Sequence, residues 1–428
     1  MHDLTRAYVS QTGCRTPVLH ATALAAALLA GACSGGTAPD IAPAPLTELP
    51  RVLSADEQKV LAASNQFTFS LFHQLTESQR GANVFVSPLS ASMALGMTMN
   101  GAAGTTFDEM RAALGLGGAS QEEINEGYKT LIALLRGLDN SVEFRLANSV
   151  WYRQGFPFQR SFLDAAAGSF GAQVQGLDFD NPASVGTINQ WVDRSTNGKI
   201  TTIIDQIDPS NVMFLINAIY FKGSWRDQFN VAETREAPFY AAGGREQRAR
   251  LMHRHAKMRY LATPEFQAVD LPYGRDAFAM TVLLPAQGTD VETFAASLTA
   301  AAWAQWEKQF HTADVDLYLP RLTLTYERRL NDDLKALGMR QAFVPDGADF
   351  TRMSPAPTGN HLFIDFVKQK TYVDVNEEGT EAAAVTAVGV RVTSAPQTAT
   401  MRVDRPYLFA IRERLSGTIL FIGKVVAV

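Results

Sequence analysis

Between Val212 and Phe221 the chain reads Val-Met-Phe-Leu-Ile-Asn-Ala-Ile-Tyr-Phe, almost continuously apolar and broken only at Asn217. Such a run is too rich in β-formers for a surface helix, and it predicts a central strand covered on both faces. The coverage has to come from elsewhere in the chain, and the first third reads as helical. Ser54-Ala55-Asp56-Glu57 is a capping box ahead of Val60, Leu61, Phe67, Leu71, Phe72 and Leu75 at helical spacing. Ser87-Pro88 opens a second helix that should stop near Asn100-Gly101, and Ser120-Gln121-Glu122-Glu123 opens a third through Leu131, Leu134 and Leu135. Further strands are expected at 142–152, 278–284, 315–319 and 362–376, with a final pair, 407–412 and 418–426, joined at Ser416-Gly417. Helices first and strands later define an α+β chain whose N-terminal helices pack on a large mixed or antiparallel central sheet. No Pro/Gly/Ser-rich linker divides residues 54–428, so a single domain is expected there.

The N-terminus reads as an address. Residues 1–32 carry Arg6 and Arg15 ahead of an apolar, Ala-rich run from Val18 to Ala32, shorter than the roughly 20 residues of a spanning helix. Leu29-Ala30-Gly31-Ala32-Cys33 resembles the lipobox of bacterial lipoproteins, in which the cysteine is acylated, although Leu29 stands one residue further from the cysteine than usual. Plain secretion is the competing reading. Residues 33–53, rich in Pro and Gly, read as a flexible tether. The chain is thus expected to be exported, and to meet a membrane only through lipid on Cys33. Cys14 and Cys33 are the two cysteines, which leaves the body without a disulfide, a thiol nucleophile or a thiolate metal site. With 38 basic against 43 acidic side chains and a net charge of −5, nucleic acid is a poor candidate partner.

Residues 377–396 have no large hydrophobic side chain after Glu381 and there carry a single charge, Arg391. Composition alone describes an Ala-rich surface loop or a short helix. Read with period two, Thr380, Ala382, Ala384, Thr386, Val388, Val390 and Val392 are all small or β-branched, while Glu381 and Arg391 fall on the other face. The segment has the length and glycine punctuation of an exposed loop and the pattern of a strand that could be buried on one side.

The sequence resembles the serpins over nearly all of residues 55–428. The resemblance rests on Asn83-Val84-Phe85-Val86-Ser87-Pro88-Leu89-Ser90, the run from Asn217 to Trp225, Asp270-Leu271-Pro272-Tyr273, the run from Val375 to Ala384, and Arg405-Pro406-Tyr407-Leu408-Phe409. It implies a large central sheet with further small sheets and an exposed reactive loop at about 377–400. It also implies suicide inhibition of serine, and by extension cysteine, endopeptidases. There the protease cuts the loop, and the loop inserts into the main sheet with the acylated protease attached. The protein would then be no enzyme, would need no cofactor, and would act as a monomer. A non-inhibitory binding or chaperone protein on the same scaffold is the alternative. The hinge of the resemblance falls on Glu377, Glu378, Gly379, Thr380, Glu381, Ala382, Ala383 and Ala384. Counting from Glu377 puts the reactive bond between Thr393 and Ser394. Counting back from Pro406 puts it after Ala395, where Pro396 offers a constrained leaving nitrogen, so Thr393-Ser394 is preferred and Arg391-Val392 is the alternative. Thr393 would suit elastase-like or subtilisin-like proteases, Arg391 a trypsin-like one. Ser87, Ser90 and Asn217 match the polar cluster that governs opening of the sheet, and Trp225 matches the tryptophan where the loop first inserts. The cluster's usual histidine falls on Gln369, which donates and accepts but does not titrate near neutral pH.

Other motifs carry less. His253-Arg254-His255 places two histidines on one strand face without a third ligand nearby in sequence, and reads as surface. Gly115-Leu116-Gly117-Gly118 lacks the lysine and spacing of a phosphate loop and reads as a helix C-cap. No Gly-x-Ser-x-Gly elbow is present.

Overall fold

The computed structural model describes residues 44–355, 362–381 and 398–428. The expected signal segment, Cys33 and most of the tether lie outside them, as do Ala382, Ala383, Ala384 and both candidate reactive bonds. The helices are α1 (Ala55–Ser78), α2 (Pro88–Met99), α3 (Gly104–Ala113), α4 (Gln121–Gly137), α5 (Arg160–Phe170), α6 (Ala183–Ser195), α7 (Val291–Ser297), α8 (Ala300–Glu307) and α9 (Asn331–Ala336). The strands are β1 (Val84–Val86), β2 (Val142–Arg153), β3 (Ala172–Leu177), β4 (Met213–Ser224), β5 (Arg235–Tyr240), β6 (Glu246–Ala262), β7 (Phe266–Tyr273), β8 (Phe278–Pro285), β9 (His311–Pro320), β10 (Leu322–Arg329), β11 (Lys368–Val375), β12 (Gly379–Thr380), β13 (Ala399–Arg402), β14 (Tyr407–Glu413) and β15 (Ile419–Val425).

The helix starts follow the caps. Ser54 and Glu57 close a reciprocal capping box on α1, and Ser120 and Glu123 do so on α4. The Ser87 hydroxyl accepts the Ser90 N–H at the start of α2, with Pro88 in the first turn. Six strands form one mixed sheet in the order β10-β11-β12-β4-β2-β3. The remaining nine form a second in the order β1-β15-β14-β8-β7-β6-β9-β13, with β5 also paired to β6. The apolar run of β4 is explained by its two neighbours. Phe214, Ile216 and Ala218 pack with Ile188, Trp191 and Val192 of α6, while Ile219 and Phe221 face the main core. Buried along nearly its whole length, α2 lies between the sheets and touches both β4 and β15.

Three expectations need correction. Residues 362–367 were expected to belong to a strand, but the ladder begins at Lys368, opposite Arg329, because the partner chain beyond Arg329 turns into α9. β9 runs from His311 rather than from 315, its polar half paired to β6. Residues 44–53, read as the end of the tether, are fixed to the body. The Leu46 N–H donates to the Arg275 carbonyl at 2.7 Å, Arg275 Nε donates to the Ala44 carbonyl at 3.1 Å, and Leu46 and Leu49 pack on the core.

Candidate functional site

β12 is only two residues long, and it sits inside the six-stranded sheet. Thr380 pairs with Gly223 of β4 on one side and Val375 of β11 on the other, and Gly379 pairs with Ser224. Beyond that rung β4 and β11 share no ladder among the described residues, so the sheet carries a cleft along its middle. The lower part of the cleft is a cavity of about 350 Å³ between Leu215 and Asn217 of β4, Gln369 of β11 and Leu95 of α2.

The mouth of the cleft is built around aromatic rings. Thr380 is buried, its Oγ1 2.7 Å from the hydroxyl of the fully buried Tyr273. Two glycines make the approach possible. A Cβ at Gly223 would meet the Tyr273 ring at 2.9 Å, and one at Gly379 would lie 2.1 Å from the Gly223 carbonyl oxygen. Trp225 stacks on Tyr273 with ring centroids 4.5 Å apart, and its Nε1–H donates to the Asn376 carbonyl at 2.8 Å. The Asn376 side chain accepts the N–H groups of Glu378 and Gly379 at 3.0 and 3.3 Å and so shapes the turn into β12. The Glu377 carboxylate is buried, paired to Arg321 at 2.5 Å and accepting the Thr234 hydroxyl at 2.5 Å. Burial pushes its pKa up, but Arg321 and Thr234 outweigh burial and hold it below the ordinary carboxylate value.

Both banks of the cleft are tied to the start of α2. On one bank Asn217 bonds the Ser90 hydroxyl and donates to Asn148 Oδ1 at 2.5 Å. On the other, Gln369 accepts the Ser87 N–H at 2.9 Å and donates to the Ser87 carbonyl at 2.8 Å. The Ser87 hydroxyl in turn donates to the Leu420 carbonyl at 2.7 Å, fixing the helix start to β15. The structure therefore brings Ser87, Ser90, Asn217 and Gln369 together, places Trp225 at the mouth, and seats Glu377, Glu378, Gly379, Thr380 and Glu381 on or beside it. Sequence reasoning assigned nothing to Arg321, Asn376, Thr234 or Asn148, and gave Tyr273 no task beyond its motif.

His253 and His255 are not bare surface residues. His253 contacts Glu233 Oε2 at 2.9 Å and Asp316 Oδ1 at 3.3 Å, and His255 contacts Asp316 at 3.1 Å. Among the described residues no group of His, Cys, Asp or Glu side chains is placed to hold a metal ion.

A family model described as Serpin (serine protease inhibitor) matches residues 62–428. The leukocyte elastase inhibitor of Homo sapiens is 31% identical over 379 residues, covering 86% of this chain and 99% of that protein. Among solved structures, the thermophilic serpin tengpin in its native state superposes with a TM-score of 0.80 at 30% identity, covering 91% of this chain and 98% of that one. Human thyroxine-binding globulin, solved in complex with thyroxine, gives a TM-score of 0.79 at 26% identity, covering 87% and 99%. The chain belongs to the serpin family, whose members are in general protease inhibitors rather than catalysts.

Proposed function

We propose that this protein is a suicide-substrate inhibitor of endopeptidases, acting by insertion of its cleaved reactive loop between β4 and β11. The observation that carries the reading is the two-residue rung in a cleft that is otherwise unpaired among the described residues. If the register of β12 continues, position 382 meets Phe221 and Val373, 384 meets Ile219 and Thr371, and 386 meets Asn217 and Gln369. All lie on the inward side that Thr380 occupies. The residues there are Ala382, Ala384 and Thr386, which fit, while Glu381 and Arg391 would fall on the outer face. The new strand would supply partners for the facing backbone groups of two strands at once, a large free-energy drop available only after the loop is cut.

Thr393-Ser394 is the bond we assign to elastase-like or subtilisin-like proteases, with Arg391-Val392 as the trypsin-like alternative. Incubation with elastase, subtilisin and trypsin should give a complex stable to boiling in detergent, and the mass of the released peptide identifies the bond. Cleavage by all three without such a complex would exclude inhibition. The likeness to thyroxine-binding globulin keeps a binding protein on the same scaffold as the second reading. That reading predicts loop cleavage without a rise in thermal stability. We further propose export with acylation of Cys33, which metabolic labelling with palmitate and its loss in Cys33→Ser would test.

A further inference from the structure

The described ladder of β12 ends at Thr380, and the backbone turns at Glu381. Glu381 has φ of +57°, in the left-handed region that L side chains disfavour. Its N–H donates to the Asp374 carbonyl at 3.1 Å, and its carboxylate lies 3.2 Å from Lys199 Nζ, with the side chain only 5% exposed. Lys199 follows α6 on a tight turn in which Asn197 and Gly198 both have positive φ. One ring flanks the ammonium group. It lies 4.9 Å from the centroid of Tyr372 in β11. On the β4 side the Tyr220 hydroxyl accepts from Asn197 Nδ2 at 3.1 Å.

The charges here depend on one another. Burial lowers the pKa of Lys199, but Glu381 outweighs burial and raises it. Burial and the Glu381 carboxylate both raise that of the Tyr220 phenol.

The position of this cluster matters more than its strength. Thr380 pairs with Gly223 and Val375, so position 383, the second outward-facing slot beyond it, lies between Tyr220 and Tyr372. Lys199 lies against that slot, and Glu381 is drawn toward it. For β12 to lengthen, Glu381 must give up its left-handed backbone and swing its carboxylate toward register positions 222 and 374, leaving Lys199. Resting on the reading of loop insertion above, we infer that Lys199, with Tyr220 and Glu381, is a latch that stops the uncut loop after Thr380. It keeps the inhibitor from consuming itself, and it yields when cleavage frees the loop to zip through the sheet.

A charged hydrogen bond at a site where Lys199 is 34% exposed should, after solvent screening, slow spontaneous insertion by about three- to tenfold. The test uses the full chain as wild type, Lys199→Met, Glu381→Gln, Lys199→Arg and the exchange Lys199→Glu with Glu381→Lys. Each is incubated without protease at rising temperature, and the appearance of an uncut, more heat-stable conformer is timed. Lys199→Met and Glu381→Gln should convert about three- to tenfold faster, whereas Lys199→Arg and the exchange should stay near wild type. Conversion of both neutralised variants within twofold of wild type, or no conversion of either below the unfolding temperature, overturns the latch. Rescue by the exchange separates the ion pair from a packing defect. The two readings fail separately. Stable protease complexes with unchanged conversion rates sink the latch alone, while faster conversion without any protease complex sinks inhibition alone.

Discussion

Replacing Thr380 by Arg puts the greatest demand on the insertion mechanism. Thr380 is 2% exposed and bounded by Gly223, Val375 and the Tyr273 hydroxyl, with no carboxylate among these neighbours. A guanidinium held there would be a buried charge without a partner, costing about 3–5 kcal/mol, to which the lost Tyr273 hydrogen bond adds about 1 kcal/mol. The rung should therefore leave the sheet, and insertion after cleavage would have to begin against the same barrier. At about 1.4 kcal/mol per decade, even 3 kcal/mol slows insertion roughly a hundredfold. If trapping outruns hydrolysis about tenfold in the parent, hydrolysis then outruns trapping about tenfold, and about ten inhibitor molecules are consumed per protease inactivated. Titration of residual protease activity gives that stoichiometry directly, and detergent gels show whether cleaved monomer replaces complex. Thr380→Ser, which keeps the hydroxyl, should behave as the parent. A parent-like stoichiometry for Thr380→Arg would refute the argument, since it would mean that residue 380 need not enter the sheet.

Three further outcomes follow from buried polar groups. Glu57, bonded to Arg51 at 2.5–2.6 Å and to the Ser54 N–H, is held at about 2 against an ordinary 4.5. A depressed carboxyl stabilises the fold above its unfolded pKa and loses that contribution as pH falls. Between pH 4.5 and 2 the protein should lose about 1–2 kcal/mol, discounted for the exposure of Arg51, and Arg51→Ala should flatten this part of the denaturation profile. Lys424, with no exposed side-chain surface, lies 2.7 Å from both carboxylate oxygens of Glu292. Lys424→Met should cost about 3–5 kcal/mol by urea unfolding, and the double variant with Glu292→Leu should recover much of it. Gln369→Ala strips both backbone partners from Ser87 and should cost about 2–3 kcal/mol, whereas Gln369→His should add a pH dependence of stability between about 5 and 8, where glutamine does not titrate.

What could be read from the sequence was local chemistry. The caps at Ser54, Ser87 and Ser120 carry their signal within four residues, and the covered strand at 213–224 declares itself by lacking alternation. The inward side of the hinge was readable at Thr380 because a strand's period of two sorts small from charged residues without knowledge of its partners. Most of β6, beyond the strand face read at His253 and His255, was hidden by its composition, since its partly exposed face carries Arg, His and Lys. The mouth of the cleft was hidden for another reason. Tyr273, Arg321, Thr234 and Lys199 reach the hinge from 56 to 182 residues away in sequence, and no spacing rule connects them. Gly223 needed Tyr273 to be placed before its missing side chain meant anything.

On the insertion reading, the cleft between β4 and β11 receives the cut loop. Hydrogen exchange measured before and after cleavage by a protease that is not trapped tests it most directly. Insertion predicts new protection along the facing edges of β4, from Met213 to Lys222, and of β11, from Lys368 to Asp374, together with a large upward shift in the thermal midpoint. Unchanged exchange on both strands in a quantitatively cleaved sample would contradict it.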